Sequence, residues 1–216
     1  MKLAKLVMAL SLASLGTAAL ASTHQVTLGF ENVSGAYSGA MIKDVNPSYG
    51  GLKWSDSFGV VRASDIPNSG YDFGAIGDWV GFSSAGNPVS FGSNAGQRFT
   101  FYGLYLASAW YSSENVIVTG YRNGVAAYTS TVNVTNDGDR LPLLYQFNWK
   151  NVDKVSFSAV TAGFGHQLVF DNVQLSGFSP APAVPEPETY ALMGIGMVAV
   201  ALKMRRGKKT AAARLA

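Results

Sequence analysis

Two runs rich in valine and threonine, Asn115 to Tyr121 and Val125 to Val134, flank the pair Asn123-Gly124. A two-residue type I′ turn needs positive φ at both central positions, which Asn and Gly tolerate, so this stretch predicts a β-hairpin. Other short alternating runs recur between turn residues. Gln25 to Phe30 places Val26, Leu28 and Phe30 on one face, and Phe99 to Leu106 is aromatic-rich. Leu143 to Trp149 follows, then Lys154 to Val160, where Val155, Phe157 and Ala159 alternate with Ser156 and Ser158. Gln167 to Leu175 closes the series. Period-3.6 apolar patterns are missing from this part of the chain, which argues against helices. Roughly seven to nine strands at this spacing predict an all-β fold, a single jelly-roll-like β-sandwich over residues 22–178. Residues 31–98 are rich in Gly, Ser and Asn, and predict loops with short edge strands.

Composition narrows the chemistry. The chain has no cysteine, which excludes a disulfide framework, a thiolate zinc site and an Fe–S cluster. Two histidines leave little material for a histidine metal site. The net charge of +3 resides at the ends, because positions 22 to 180 hold eight basic and eleven acidic residues, a net −3. Those eight are scattered along the sequence, whereas nucleic-acid binding needs a clustered basic face. Nucleic acid is not expected as a partner.

The two ends read as addresses. Lys2 and Lys5 precede an apolar run that closes on Ala19-Leu20-Ala21, the pattern of a secretory signal peptide over residues 1–21. The Sec translocon and signal peptidase are its expected partners. At the other end, residues 179–188 form a proline-rich linker that neither sheet nor helix accommodates. Ala191 to Leu202 is wholly apolar or glycine, and a basic cluster follows. Twelve residues make about 18 Å of helix, so the expected transmembrane helix over residues 189–204 is short for a hydrocarbon core of about 30 Å. The basic tail, residues 205–216, predicts a cytoplasmic end with the β-domain outside the inner membrane.

Val184-Pro185-Glu186-Pro187, a short apolar helix and then Arg205, Arg206 and further lysines resemble the PEP-CTERM sorting signal of Gram-negative bacteria. The resemblance implies recognition by exosortase, a membrane cysteine protease that processes such tails, with Pro185, Glu186, Pro187, Arg205 and Arg206 as the signal. It also implies release to the cell surface or extracellular matrix, among exopolysaccharide or biofilm components. Thr210 to Ala216 extends beyond the point where such chains usually stop. Within the domain, Gly29-Phe30-Glu31, Gly120-Tyr121-Arg122-Asn123-Gly124 and His166-Gln167-Leu168-Val169-Phe170-Asp171-Asn172 resemble a QFxxD-type group of these proteins, with Leu168 where that group has Phe. The same opening and closing elements resemble carbohydrate-binding jelly rolls. That likeness implies a structural calcium held by Glu31 and Asp171. Parity places Asp171 with Val169, Val173 and Leu175, hence toward the apolar side, and a capped or ion-paired aspartate is the alternative.

Catalytic patterns are weak. The G-x-S-x-G element is missing, and His166, beside Gly165 at a strand start, reads as a surface hydrogen bonder. Asp56, Asp65, Asp72, Asp78 and Glu114 offer no distinctive pair for glycoside hydrolysis. Gly35 to Gly51 lacks the P-loop pattern, and Asn136-Asp137-Gly138-Asp139 reads as a turn. Among the aromatics, Trp54, Trp79, Trp110 and Tyr111 are candidates for stacking on sugar rings, with burial in the core as the competing reading for each. The expectation is a non-enzymatic exported protein that binds exopolysaccharide. A glycan hydrolase or lyase on the same sandwich and a ligand-free spacer are the alternatives.

Overall fold

The computed structural model describes residues 25–93 and 97–176. Twelve strands lie in this span: β1 (Gln25–Leu28), β2 (Ala40–Met41), β3 (Leu52–Trp54), β4 (Phe58–Arg62), β5 (Trp79–Ser83), β6 (Val89–Ser93), β7 (Phe99–Ser108), β8 (Glu114–Arg122), β9 (Val125–Val134), β10 (Leu144–Val152), β11 (Lys154–Ala159) and β12 (Leu168–Ser176). They form two sheets with all pairs antiparallel. The first has order β10-β7-β12-β5-β4-β2, with β1 also paired to β12, and the second β3-β6-β11-β8-β9. From β6 onward the chain passes back and forth between the sheets, giving a sandwich. The β8–β9 turn is as predicted, with Asn123 at φ 52° and Gly124 at φ 77°.

Strand alternation builds the core between the sheets. Val116, Val118, Val155 and Phe157 of the second sheet face Phe101, Leu104, Leu106 and Phe170 of the first, all buried. Phe157 meets Phe170 edge-on at 5.1 Å between ring centroids, and Phe91 meets Phe101 at 5.8 Å. A second, smaller core covers the outer face of the first sheet. There Val61, Val80, Ala107 and Val169 lie under Tyr71 of the single-turn helix α1 (Gly70–Phe73). Ser69 caps that turn by accepting the Tyr71 N–H at 3.2 Å. Gly70 is required beneath it, because a Cβ there would stand 1.8 Å from the Ser108 carbonyl oxygen.

Residues 31–98 are more regular than their sequence predicts. β4 and β5 are interior strands of the first sheet and β6 of the second, not edge pieces. Glycines conceal them. A Cβ on Gly59 would meet the Phe82 ring at 2.5 Å, and one on Gly81 would meet Phe58 and Phe30 at 2.7 and 2.8 Å. At these positions the missing side chain admits an aromatic ring, so the alternation signal disappears while the packing remains dense.

The parity argument for Asp171 fails at a bulge. Pairing of β12 with β7 shifts register between Asp171 and Gln174, and Asn172 has φ 43°. Leu168 and Phe170 face the main core before the bulge and Val173 and Leu175 after it, while Val169 faces the smaller core. Asp171 is nonetheless fully buried, for a reason given below. The expected signal peptide, proline linker, transmembrane helix and basic tail lie outside the described residues. Among the described residues no helix is long and apolar enough to cross a membrane.

Candidate functional site

β12 keeps β7 along one edge but changes neighbour along the other. β5 pairs with Val169 and Phe170, and β1 pairs with Val173 to Ser176. Asp171 and Asn172 sit at the seam, where neither strand reaches. The Asp171 carboxylate fills that gap, with Oδ2 accepting the Ile76 N–H and Oδ1 the Asn172 N–H, each at 2.6 Å. β1 ends at Leu28, and Phe30 follows at φ 61°, so the chain turns and Glu31 approaches the same loop. Glu31 Oε1 accepts the N–H groups of Asp78 and Trp79 at 2.8 and 3.0 Å. The two carboxylates thus clamp residues 76–79 from two sides.

Burial pushes the Asp171 carboxyl up to about 7, against the lowering effect of the Ile76 and Asn172 amides and with negative Glu31 adding to the rise. Neither carboxylate has an ion-pair partner among the described residues. The donor set suits calcium in kind, since Glu31, Asp171 and Asn172 present hard oxygens. Asn172 Oδ1 and Asp171 Oδ1 lie 2.7 and 3.8 Å from the point a Gly29 Cβ would occupy. The described residues contain no group of three His, Cys, Asp or Glu side chains able to hold a metal. Water and backbone carbonyls would have to complete such a sphere, and the amide clamp already satisfies part of each carboxylate.

A second constellation, which the sequence concealed, stands at the sandwich end formed by the β7–β8 and β11–β12 loops. Glu114 at the start of β8 is buried, and its Oε1 lies 2.6 Å from His166 Nδ1. Its Oε2 accepts the Ser108 hydroxyl at 3.2 Å, and Ser108 Oγ accepts the Tyr111 N–H at 3.1 Å. The Tyr111 ring stacks on the His166 imidazole with centroids 4.5 Å apart. Glu114, His166 and Tyr111 line a pocket of about 210 Å³ with Ser113, Asn115 and Thr161. Ser113 also borders a neighbouring depression of about 560 Å³ containing Asn133, Asn136 and Tyr145. His166 is therefore a half-buried, oriented imidazole and not a surface hydrogen bonder. Ser108 donates its hydrogen bond to Glu114 but is fully buried, and that burial keeps its hydroxyl out of reach as a nucleophile.

The four candidate sugar-stacking rings separate. Trp54 is 4% exposed, packed against Phe58 at 4.6 Å, and its indole N–H donates to the Tyr49 carbonyl, so it belongs to the core. Trp79 is half-buried at the seam end of β5 with the Arg62 guanidinium over its ring at 5.4 Å. Trp110 and Tyr111 remain open, 47% and 44% exposed; Tyr111 lines the Glu114–His166 pocket, and Trp110 precedes it in the β7–β8 loop. Tyr71 supports Trp110 edge-on from beneath at 5.7 Å, and Asn136 Nδ2 donates to the Trp110 carbonyl. Phe164, 89% exposed, projects from the adjoining β11–β12 loop. The signal for Glu114 and His166 was invisible in sequence because 52 residues separate them.

Residues 183–206 match the PEP-CTERM protein-sorting motif, a segment containing Pro185, Glu186, Pro187, Arg205 and Arg206. The chain thus carries the sorting signal of an exported protein targeted to exosortase at the membrane. No curated protein matches the chain. Among solved structures, TmCBM61 in complex with beta-1,4-galactotriose aligns at 15% identity and a TM-score of 0.32, over 59% of this chain and 92% of that one. A CBM4 structure aligns at 18% identity and a TM-score of 0.29, over 57% of this chain and 86% of that one.

Proposed function

We propose that this is a non-enzymatic protein of the cell surface or extracellular matrix, released by exosortase, whose sandwich binds exopolysaccharide at the Trp110–Tyr111 end. The observation that carries the binding reading is the pair of open rings beside a polar pocket. Trp110 is braced by Tyr71 and Tyr111 by His166; Tyr111 shares its pocket with Ser113 and Asn115, and Asn136 of the neighbouring depression holds the Trp110 carbonyl. Flat rings held rigidly stack on sugar faces at little entropic cost, and amides and hydroxyls around them bond sugar hydroxyls. Trp54 has no part in this site, and Trp79 stands apart from it. The seam carboxylates Glu31 and Asp171 serve stability, with calcium as their proposed ligand.

The sorting motif supports the processing half of the reading, and its proline-flanked Glu186 suits an extended protease substrate. Intact-mass measurement of the protein from its native envelope tests it: a mature chain beginning near Ser22 and lacking Arg214 to Ala216 is expected. Persistence of those residues would leave a permanently anchored protein. For binding, the full chain on a glycan array with a parallel reducing-sugar assay should show retention without turnover. Turnover would transfer the Glu114–His166 pocket to an enzymatic role, and silence on every glycan would leave a spacer.

A further inference from the structure

The eight basic residues of the central domain are scattered in sequence, but the second sheet gathers some of them. In register across that sheet, Lys53 pairs with Gly92, Gly92 with Lys154, and Lys154 with Tyr121. Leu52, Trp54, Val155 and Phe157 point into the core, so Lys53 and Lys154 project from the outer face. Strands spaced at about 4.8 Å put the two lysine backbones about 10 Å apart, with a residue between them that has no side chain. The result is a trough of about 460 Å³ above Gly92, walled by the two lysines and edged by Ser55, Ser90, Ser93 and Asn123. A side chain on Gly92 would encroach on it, since even a Cβ would stand 2.9 Å from the Asp153 carbonyl oxygen.

The charge around this trough is positive in balance, two lysines against one aspartate in the lining. Arg98 donates to the Asn123 side chain at 3.4 Å, and Arg122 is fixed at the same end by the carbonyls of Asn151 and Lys150 at 3.0 and 3.2 Å. Asp153 is the acid in the lining, and its carboxylate is engaged by the Asn123 N–H. Lys154 Nζ rests over Tyr121 at 4.4 Å, and neither Lys53 nor Lys154 makes an ion pair among the described residues. In a domain whose net charge is negative, this local excess of unpaired cations concentrates anions.

We infer that the Lys53–Gly92–Lys154 trough is a second binding site, selective for carboxylate-bearing polysaccharide. This rests on the polysaccharide-binding reading above and adds a charge requirement to it. The chemistry favours an acidic glycan over a nucleic acid. The trough is short, lined by three serines and an amide that suit sugar hydroxyls, and Tyr121 is covered by Lys154 and so closed to base stacking. Nucleic-acid binding draws on a longer array of phosphate contacts.

The test uses the full chain with three probes: polygalacturonate, its fully methyl-esterified form and duplex DNA, each at low and at physiological salt. Polygalacturonate is expected to bind, with the ester at least about tenfold weaker and binding falling as salt rises. The double variant Lys53→Gln, Lys154→Gln should lose roughly tenfold in affinity for polygalacturonate with at most a small fall in melting temperature, because both side chains are exposed, neither makes an ion pair, and only the exposed Lys154–Tyr121 contact is lost. A Trp110→Ala variant should keep polygalacturonate binding, which separates the two sites. Equal binding of acid and ester, unchanged binding by the lysine double variant, or preference for DNA would overturn the inference. Retention of neutral glycans alone would overturn it while leaving the Trp110–Tyr111 reading in place, and failure of every glycan would remove both.

Discussion

Two buried carboxylates, at the strand seam and at the loop end, have been accommodated in opposite ways. Glu114 is surrounded by side-chain donors, with an imidazole at one oxygen and a hydroxyl at the other. Asp171 receives only backbone N–H groups and has a second carboxylate for a neighbour. The first arrangement ties both carboxylate oxygens to side chains of neighbouring segments, and leaves the pocket beside it open to solvent. The second stitches three chain segments where strand pairing changes hands, and leaves a charge whose cost depends on pH. One carboxylate orients a surface site, whereas the other closes a gap in a sheet.

Removal of Asp171 is the largest break in this comparison. Asp171→Ala orphans the part-buried Ile76 amide, opens a cavity at the seam and should cost about 3 kcal/mol in denaturant unfolding. A loss below about 1 kcal/mol would show that the clamp on residues 76–79 is dispensable. The pH profile sharpens the point. The unfolded chain sheds this proton near pH 4, while the folded protein holds it to about 7. The folded state therefore binds more protons between those values, and stability should decline as pH rises through that window, by as much as about 4 kcal/mol in total. Asp171→Asn should flatten the profile. Calcium at the seam would offset the repulsion between Glu31 and Asp171, so adding it to metal-free protein at pH 7.5 should raise the melting temperature and reduce that decline. No shift at millimolar calcium would leave the amide clamp as the whole role of the pair.

Smaller effects are expected at the other end. Glu114→Gln keeps a hydrogen-bonding group beside Ser108 and His166 but removes the charge, and should cost about 1 to 2 kcal/mol. A larger loss than that of Asp171→Ala would reverse the assignment of structural and site-orienting roles. Trp110→Ala and Tyr111→Ala should alter stability least, within about 1 kcal/mol, because both rings are already half in water. Their expected effect is on neutral-glycan retention, measured by affinity electrophoresis.

What the sequence revealed of this architecture follows from how local each signal is. Asn123-Gly124 encodes its own turn, and β8, β9 and β11 alternate cleanly because each has one face in the core. β4 and β5 are legible only once Gly59 and Gly81 are seen as places for the rings of Phe82, Phe58 and Phe30. Asp171 was singled out correctly as a buried carboxylate, but by a parity that the bulge at Asn172 breaks. Its burial comes from the loop above it, which no periodicity describes. Glu114 meeting His166, and Lys53 facing Lys154 across Gly92, depend on strand order and register, which are properties of the assembled sheets.

The antiparallel pairing of Gln25 with Ser176 has a mechanical consequence. The described chain enters and leaves at one corner, and the strand that leads to the sorting tail is not at a sheet edge. At its final turn β12 is laddered to β1 on one side and β7 on the other, and the Ser176 hydroxyl additionally accepts the Thr100 N–H at 2.7 Å. A pull transmitted through the tail is thereby shared between two rows of hydrogen bonds. The Trp110–Tyr111 end lies at the opposite end of β8, a distance of about 27 Å along the strand, directed away from the point of suspension.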